Sequence, residues 1–327
     1  MPESLLSVQS LSKEFKINSN SFHLFAPRPV LKAVDSVTFD LYHGETLGIV
    51  GESGCGKSTL GRMITGLTQP TQGSILFDGH DLLRCNAKEL RRLRQEIMIV
   101  FQDPFSSLDP RMRVEDTIAE PLKSYCPQMS RADRHARVLE LLDSVGLNPA
   151  YARRFPHEFS GGQRQRIGIA RAIALHPKLV VCDEAVSALD VSVQAQILNL
   201  LKQLQAQYNM SYVFIAHGLN VVRYMSDRIA VMYLGKIMEI GPRDDIYNKR
   251  LHPYTQALFS AIPVADPFVE RERAELLKGD VPSPINPPPG CRFWTRCPRC
   301  MEECKKTVPE LHLVEENHLV ACHLFKP

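Results

Sequence analysis

The sequence predicts an α/β fold with a mixed, mostly parallel sheet, an antiparallel β subdomain, a helical subdomain and a small cysteine-rich extension. Short apolar runs at residues 47–50, 97–101 and 179–182 are typical of buried strands. Helical segments alternate with these runs, which favours parallel strands joined by helical crossovers. The motif G-x-x-x-x-G-K-[ST] at residues 51–59 lies between the first run and a predicted helix at 60–67.

Residues 51–59 have the sequence of a phosphate-binding loop, whose glycines permit a tight turn that aims backbone N–H groups at phosphate oxygens. Lys57 would reach the β- and γ-phosphates, and Ser58 would place a hydroxyl on Mg²⁺. A glycine-rich turn that binds no nucleotide is the alternative, and the strand–loop–helix context favours the phosphate loop. The other loop residues expected to line the nucleotide are Gly51, Glu52, Ser53, Gly54, Cys55, Gly56 and Thr59.

The chain of 327 residues is long enough for two domains. We expect a larger domain at residues 1–240, with a helical subdomain at about 103–176, and an extension at 241–327. The 39 basic and 36 acidic residues nearly balance, which gives no electrostatic argument for nucleic acid as a partner. No apolar run approaches the ~18 residues that span a bilayer, and no secretory signal is visible. We therefore expect a cytoplasmic protein that meets a membrane only through a partner.

Two antiparallel strands are predicted near the start of the chain, at residues 5–8 and 30–41. Residues 18–29 between them are rich in Asn, Ser and Pro and are predicted to form an exposed hairpin tip. The block 114–176 has helical periodicity. A second hairpin is predicted around Gly235.

An acidic pair follows the apolar run at residues 179–182. Asp183 stands where an aspartate at a strand end would hold Mg²⁺. Glu184 would project toward the γ-phosphate and act as general base for the attacking water. A solvent-exposed acidic pair is the alternative, which the presence of the phosphate loop disfavours.

Residues 160–163, Ser-Gly-Gly-Gln, open a predicted helix. Ser160 is a favourable N-cap, and the two glycines leave N–H groups unshielded at the positive end of the helix. These residues form a second candidate anion site, which need not serve the nucleotide of the same chain. A plain capped helix start is the alternative.

Six motifs in sequence order make the chain resemble the ATP-binding cassette (ABC) ATPases. They are residues 51–59, Gln102, 160–163, 179–184, 187–190 and His217. The resemblance covers residues 5 to about 240 and implies a head-to-tail pair of cassettes with ATP held between them. It implies that the chain's own nucleotide is contacted by Lys57, Ser58, Gln102, Asp183, Glu184 and His217. It also implies that the γ-phosphate bound by the partner cassette is contacted by Ser160, Gly161, Gly162 and Gln163.

The resemblance also implies individual roles. Phe15 would stack on adenine, and a buried aromatic at a strand end is the alternative. Gln102 would sense Mg²⁺ and water and couple the site to a membrane partner, whereas an ordinary loop glutamine would do neither. His217 would bond the γ-phosphate and steady the water, with a purely structural histidine as the alternative. Asp190 would reach across the dimer.

Three positions depart from the family pattern. Phe159 stands where Leu is usual, Ala185 where Pro is usual, and Gly218 where an acidic residue is usual. We expect the change at Gly218 to affect the fine positioning of His217, and so the turnover rate, but not ATP binding. Because the catalytic residues are all present, the sequence predicts a competent ATPase.

The sequence after residue 241 indicates which group of ABC ATPases the chain resembles. Residues 252–258 and 282–291 look like the C-terminal extension of oligopeptide and dipeptide permease ATPases. That resemblance implies the energy-coupling subunit of a peptide importer, at the cytoplasmic face of the membrane, with an importer of nickel or other metal chelates as the alternative. The implied partners are two integral-membrane permease subunits, a second ATPase, expected to be a paralogue, and an extracellular solute-binding protein. A soluble ABC ATPase acting on ribosomes or DNA is a remote alternative, because the chain has one phosphate loop and no heptad run.

Four tail cysteines have a spacing similar to that of the thiolates that hold a [4Fe–4S] cluster in some members. They are Cys291, Cys297, Cys304 and Cys322. Four thiolates suit an iron–sulfur cluster. Zinc is the rival, because Cys297 and Cys300 have a zinc-like spacing, and reduced thiols without metal are a third alternative. Cys300 is not assigned.

Overall fold

The structure, a computed structural model, describes residues 3–17, 29–103, 105, 107–260 and 279–325. Its strands are β1 (Ser4–Lys16), β2 (Val30–Tyr42), β3 (Thr46–Val50), β4 (Gln72–Phe77), β5 (His80–Asp81), β6 (Ile97–Val100), β7 (Leu179–Asp183), β8 (Ser211–Ile215), β9 (Arg228–Tyr233), β10 (Lys236–Pro242), β11 (His312–Glu315) and β12 (His318–Val320). Its α-helices are α1 (Lys57–Ile64), α2 (Ala87–Leu93), α3 (Val114–Tyr125), α4 (Arg131–Ser144), α5 (Gly161–Ala172), α6 (Val191–Tyr208), α7 (Leu219–Met225), α8 (Arg243–Asn248) and α9 (Pro253–Ser260). Short 3₁₀ helices are Pro149–Arg153, Pro156–Glu158, Glu302–Lys305 and His323–Phe325.

Four strands form an antiparallel sheet in the order β2-β1-β4-β5. β1 and β2 pair along their length, from Ser4 opposite Tyr42 to Lys16 opposite Val30. The predicted antiparallel pair is confirmed, although β1 extends well beyond the predicted residues 5–8. The predicted hairpin tip lies almost wholly outside the described residues.

Eight strands form the second sheet, in the order β11-β12-β10-β9-β3-β8-β7-β6. The five strands from β9 to β6 pair in parallel, and β10, β11 and β12 add antiparallel pairs at one side. Along β7, Leu179 and Val181 enter one hydrophobic core and Val180 and Cys182 enter another. Burial on both faces explains why the central strands read as continuous apolar runs in the sequence.

The region predicted to be helical contains α3, α4 and α5. On α4 the side chains of Val138, Leu141 and Leu142 are buried, because residues three and four apart lie on one face of a helix. Ser130 caps this helix, and its Oγ accepts the N–H of Asp133 at 3.1 Å. Local periodicity and capping therefore account for this part of the chain.

Several helices differ from the sequence-based expectation. α1 begins at Lys57 rather than at residue 60, because the end of the glycine loop already forms its first turn. The sequence predicts an amphipathic helix at residues 197–208, but α6 begins at Val191, because its buried face begins only at Ile197 and its first turns are not buried. α7 and α8 have seven and six residues, which is too short for a helical period to be recognised.

The region after residue 241 adds strands to the larger sheet. β12 pairs with β10, and β11 pairs with β12. Glu239 on β10 and His318 on β12 are fully buried, with Oε1 and Nε2 2.7 Å apart. Glu239 also accepts the N–H groups of Leu251 and His252, each at 2.9 Å. The predicted boundary at residue 240 thus falls inside a strand. None of the described helices is long and apolar enough to cross a membrane.

Candidate nucleotide-binding site

The glycine loop at residues 51–59 connects β3 to α1. Gly51 has a φ of +152°, and a Cβ there would lie 2.0 Å from the carbonyl oxygen of Met232. Only glycine fits this approach of two backbones. Gly56 is the N-cap of α1 and provides no side-chain cap, so the first N–H groups of the helix are available to an anion.

We expect Gly51→Ala to destabilise the fold more than Gly54→Ala. Both glycines have positive φ, but a Cβ at Gly54 would have no heavy atom within 4 Å. The additional loss in the free energy of unfolding should be about 1–3 kcal/mol, the usual cost of overpacking. Denaturant-induced unfolding measures the difference. Equal losses would mean that the contact with Met232 imposes no constraint.

Lys57 is held by its own loop. Its side chain is buried, and Nζ donates to the carbonyl oxygens of Gly51 at 2.8 Å and Glu52 at 3.1 Å. Phosphate oxygens would replace these neutral acceptors with charged ones, which form stronger bonds with an ammonium group. The lysine is thus positioned beside the loop backbone where phosphates are expected.

Ser58 and Asp183 are in contact, although 125 residues separate them in the sequence. The Ser58 hydroxyl donates to Asp183 Oδ1 at 2.7 Å, and Asp183 is buried at the end of β7. Hydroxyl and carboxylate oxygens are ligands that Mg²⁺ accepts. Ser58 and Asp183, two of the three residues predicted at the Mg²⁺ site, therefore lie side by side, and the third, Gln102, contacts Glu184.

Glu184 is the centre of a three-residue contact. Gln102 donates from Nε2 to Glu184 Oε2 at 2.6 Å, and His217 Nε2 lies 2.7 Å from Oε1. Glu184 is buried and adopts a φ of +51°, a left-handed conformation that is unusual for a residue with a side chain. Such strain is concentrated at functional sites. The structure brings together the three residues predicted to attend the water.

The three departures from the family pattern have structural counterparts. Phe159 is buried and packs edge-on against Tyr151, with ring centroids 5.6 Å apart, which accommodates the larger side chain. Ala185 is buried directly after the strained Glu184. Gly218 is the N-cap of α7 with a φ of −76°, a conformation that other residues also adopt.

The helix start at Ser160 forms a capping box. Ser160 donates its N–H to Gln163 Oε1 at 3.0 Å, and its Oγ accepts the Gln163 N–H at 3.4 Å. A Cβ at Gly162 would lie 2.4 Å from Val193 Cγ1, so glycine permits α5 and α6 to approach closely. The described contacts join these residues to α6 and not to the phosphate loop.

Phe15 and Asp190 lie at the surface. Phe15 is 42% exposed near the end of β1. The structure therefore does not support the alternative of a buried aromatic. The Lys13 ammonium lies 5.0 Å from its ring centroid. Asp190 is the exposed N-cap of α6 and makes no side-chain cap bond. Stacking on adenine and contact across a dimer remain predictions for these two residues.

Sequence reasoning missed the surroundings of Glu52. Arg296 donates from Nη1 to Glu52 Oε2 at 2.8 Å and from Nη2 to Oε1 at 3.1 Å. The Tyr254 hydroxyl accepts the Glu52 N–H at 3.0 Å. Burial opposes the charge of Arg296, but its bonds to Glu52 and Tyr233 outweigh that effect and raise the guanidinium pKa. No local motif could have indicated these contacts of Glu52, because more than 200 residues separate it from both Arg296 and Tyr254.

The four assigned tail cysteines come from separate turns. Cys291, Cys304 and Cys322 are buried, and the Cys291 N–H donates to the carbonyl oxygen of Cys304 at 2.8 Å. Burial raises the pKa of Cys291 to about 12 and that of Cys297 to about 11, and the neighbouring cysteines add to both rises. All are free thiols in the structure. The Sγ of Cys300 donates to the carbonyl oxygen of Met301 at 3.5 Å, and the Cys300 thiol also interacts with that of Cys304.

Within the described part of the chain, no three His, Cys, Asp or Glu side chains are grouped closely enough to hold a metal ion. This finding includes the tail cysteines. A single zinc ion, with four sulfurs about 2.3 Å from one centre, would demand the tightest grouping.

The sequence and the fold match known proteins. Residues 34–187 match the family described as ABC transporter, and residues 238–304 match the family described as oligopeptide/dipeptide transporter, C-terminal region. An oligopeptide transport ATP-binding protein OppF of Haemophilus influenzae is 53% identical, over 98% of this chain and 97% of its own length. The chain belongs to the ABC transporter ATP-binding proteins. Another relative of this ABC protein, AppF of Bacillus subtilis, is 52% identical, over 99% of this chain and 98% of its own.

The ABC fold is also found among solved structures. The dimeric ATP-binding cassette MJ0796, in a post-hydrolysis state bound to ADP and Pi, has a TM-score of 0.64 and 29% identity. The match covers 73% of this chain and 98% of that one. The predicted fold class and the predicted ABC ATPase activity are thereby confirmed.

Proposed function

We propose that this ABC ATPase is the subunit of a membrane importer that couples ATP binding and hydrolysis to the uptake of di- or oligopeptides. The observation that carries the proposal is the convergence of Gln102 and His217 on the Glu184 carboxylate beside the phosphate loop. The peptide specificity is supported by relatives along nearly the whole chain whose names state oligopeptide transport. The alternative of a nickel-chelate importer has no comparable support.

Several residues of the chain have separate roles in ATP hydrolysis. Lys57 neutralises negative charge on the phosphates, and the loop N–H groups orient them. Glu184 accepts a proton from the attacking water, since its carboxylate is held in place by the Gln102 amide and faces His217. Bound Mg²⁺ would neutralise charge between the phosphates, and Ser58 and Asp183 are the residues that would hold it.

A complete site requires a second cassette. Ser160, Gly161, Gly162 and Gln163 form the start of α5, and the side-chain hydrogen bonds described for Ser160 and Gln163 join these two residues to each other. We infer that they serve the nucleotide of a partner cassette, which we expect to be a paralogue. The other expected partners are two membrane permease subunits and an extracellular solute-binding protein, with this chain on the cytoplasmic face of the membrane.

The proposal is tested by reconstituting the chain with its permease subunits, the second ATPase and the solute-binding protein in lipid vesicles. Addition of peptide-loaded binding protein should increase ATP hydrolysis and drive peptide uptake. Nickel chelates offered in place of peptides should do neither. A hydrolysis rate that is unchanged by loaded binding protein would contradict the coupling role. Salt-sensitive binding of nucleic acid at micromolar protein would instead support the soluble alternative.

We further propose that Cys291, Cys297, Cys304 and Cys322 hold a [4Fe–4S] cluster. Four cysteine thiolates are the usual ligands of such a cluster, and three of these thiols are buried, although the described side chains are not grouped as a bound metal ion requires. When bound, the cluster would tie the turns of the tail together through four iron–thiolate bonds.

Protein purified without oxygen should contain iron and acid-labile sulfide in equal amounts and absorb broadly in the visible range. We expect Cys304→Ser to lose both, because it removes a buried thiol of the set. Cys300→Ser is the matched control in the same segment and should keep the full iron content. Stoichiometric zinc, or iron retained in Cys304→Ser, would reject the assignment.

A further inference from the structure

A residue of the cysteine-rich tail reaches the phosphate loop. The Arg296 guanidinium binds both oxygens of the Glu52 carboxylate, at 2.8 and 3.1 Å. Its side chain is 8% exposed and that of Glu52 is 25% exposed, so water screens the pair only partly. A bidentate pair of this kind fixes the relative orientation of the two side chains in addition to balancing their charges. The tail therefore holds the second residue of the loop.

Two tyrosines complete the contact. The buried Tyr254 hydroxyl accepts the backbone N–H of Glu52 at 3.0 Å, and Arg296 also donates to the Tyr233 hydroxyl at 3.3 Å. Both the backbone and the side chain of Glu52 are thus held by residues outside the loop. Since the carbonyl of Glu52 also accepts from Lys57, its position determines where the lysine ammonium can lie.

Charge gives the pair a second role. Glu52 places a carboxylate in the loop that receives the negatively charged phosphates. An unpaired carboxylate there would repel them, and the repulsion is strong where water is partly excluded. Arg296 supplies the compensating positive charge.

We propose that Arg296 is a positioning residue of the ATP site, which neutralises Glu52 and holds the phosphate loop in its binding conformation. The inference rests on ATP binding at residues 51–59. It gives the C-terminal extension a direct part in nucleotide affinity.

The same tail turn offers a matched control. Arg292 is four residues before Arg296, is 9% exposed, and pairs with Asp35 on β2 at 2.5 Å. Its described bonds go to Asp35 and the Pro288 carbonyl and not to the phosphate loop. Arg292→Met and Arg296→Met each remove an ion pair that anchors this tail turn. Asp35 keeps Lys236 as a partner at 3.3 Å, whereas Arg296→Met leaves Glu52 uncompensated.

The experiment measures ATP affinity with a fluorescent ATP analogue, together with KM and kcat for ATP hydrolysis by the full chain. Arg296→Met should raise the dissociation constant and KM at least about 10-fold, with a smaller effect on kcat, because a partly buried charge loses its partner. Arg292→Met should change both by less than about 2-fold. Glu52→Gln combined with Arg296→Met should recover most of the lost affinity, because the repelling charge is gone. Arg296→Lys should recover part of it, since lysine restores charge without the two-pronged geometry.

Equal weakening by Arg292→Met and Arg296→Met would overturn the proposal, because the arginines would then act only by anchoring the tail. Failure of Glu52→Gln to restore affinity would also overturn it. If Arg296→Met does not fold, the ATP affinity of Glu52→Gln is compared with that of the double variant. Arg296 has no charge to neutralise in Glu52→Gln, so an ATP affinity about 10-fold lower in the double variant would contradict the charge argument. A wild-type chain that binds no ATP would contradict the nucleotide site itself, which is a separate outcome.

Discussion

Replacement of Glu184 by Gln is expected to reduce ATP hydrolysis by about 10²–10⁴-fold while ATP binding persists, because a general base contributes about that much to a rate. The glutamine keeps the size of the side chain and can still accept the Gln102 amide bond. It cannot accept a proton from water. Binding residues such as Lys57 are unaffected, so the variant should hold ATP in a closed cassette pair.

Phosphate release measures the rate, and a filter assay with labelled ATP measures binding in the assembled transporter. Glu140→Gln is the control, since Glu140 is a largely exposed glutamate that pairs with Arg137 at 3.2 Å. It should hydrolyse ATP like the wild type. A Glu184→Gln variant that does the same would show that another group acts as base.

Lys57→Ala should abolish nucleotide binding at working concentrations. The ammonium is buried and would make charge-assisted bonds with phosphate. The loss of about 1.5–3 kcal/mol per such bond weakens binding by about 10–100-fold. The substitution also leaves the carbonyl groups of Gly51 and Glu52 without their donor, so the variant is expected to unfold at a lower temperature.

The loss of nucleotide binding and the loss of stability in Lys57→Ala are distinguished by the change in unfolding temperature that ATP causes. A ligand that binds the folded state stabilises it, so wild type should unfold at a higher temperature with Mg-ATP. Lys57→Ala should show no such shift, whatever its own baseline. Lys123→Ala, which removes an exposed lysine paired with Asp116, should keep the full shift. A normal shift in Lys57→Ala would place the phosphates elsewhere.

The parts of the molecule that could be predicted are those encoded within a few residues. The phosphate loop is contiguous, and its flanking strand and helix follow from local patterns. The strand ending in Asp183 could be recognised because burial on both faces requires a continuous apolar run. Gln102, Glu184 and His217 were identified by motif order. Their common contact through one carboxylate is a property of the folded chain.

The parts that could not be predicted depend on residues that are distant in the sequence. Arg296 and Glu52 are 244 positions apart, and neither belongs to a pattern that indicates the other. The buried Glu239 could not be assigned for the same reason, since its partner His318 is 79 positions away. Propensity and periodicity describe neighbours along the chain, whereas these pairs are decided by how the tail packs.

The pairing of β12 with β10 has a consequence for the order in which the sheet is completed. Among the described strands of that sheet β12 is made last, so during synthesis β10 is an open edge that carries an acidic residue, Glu239, before His318 is available to it. An open edge can pair with other chains, and a charge at that edge counteracts such pairing. The glutamate that His318 later contacts in the buried core would therefore counteract such pairing until the last strands are made.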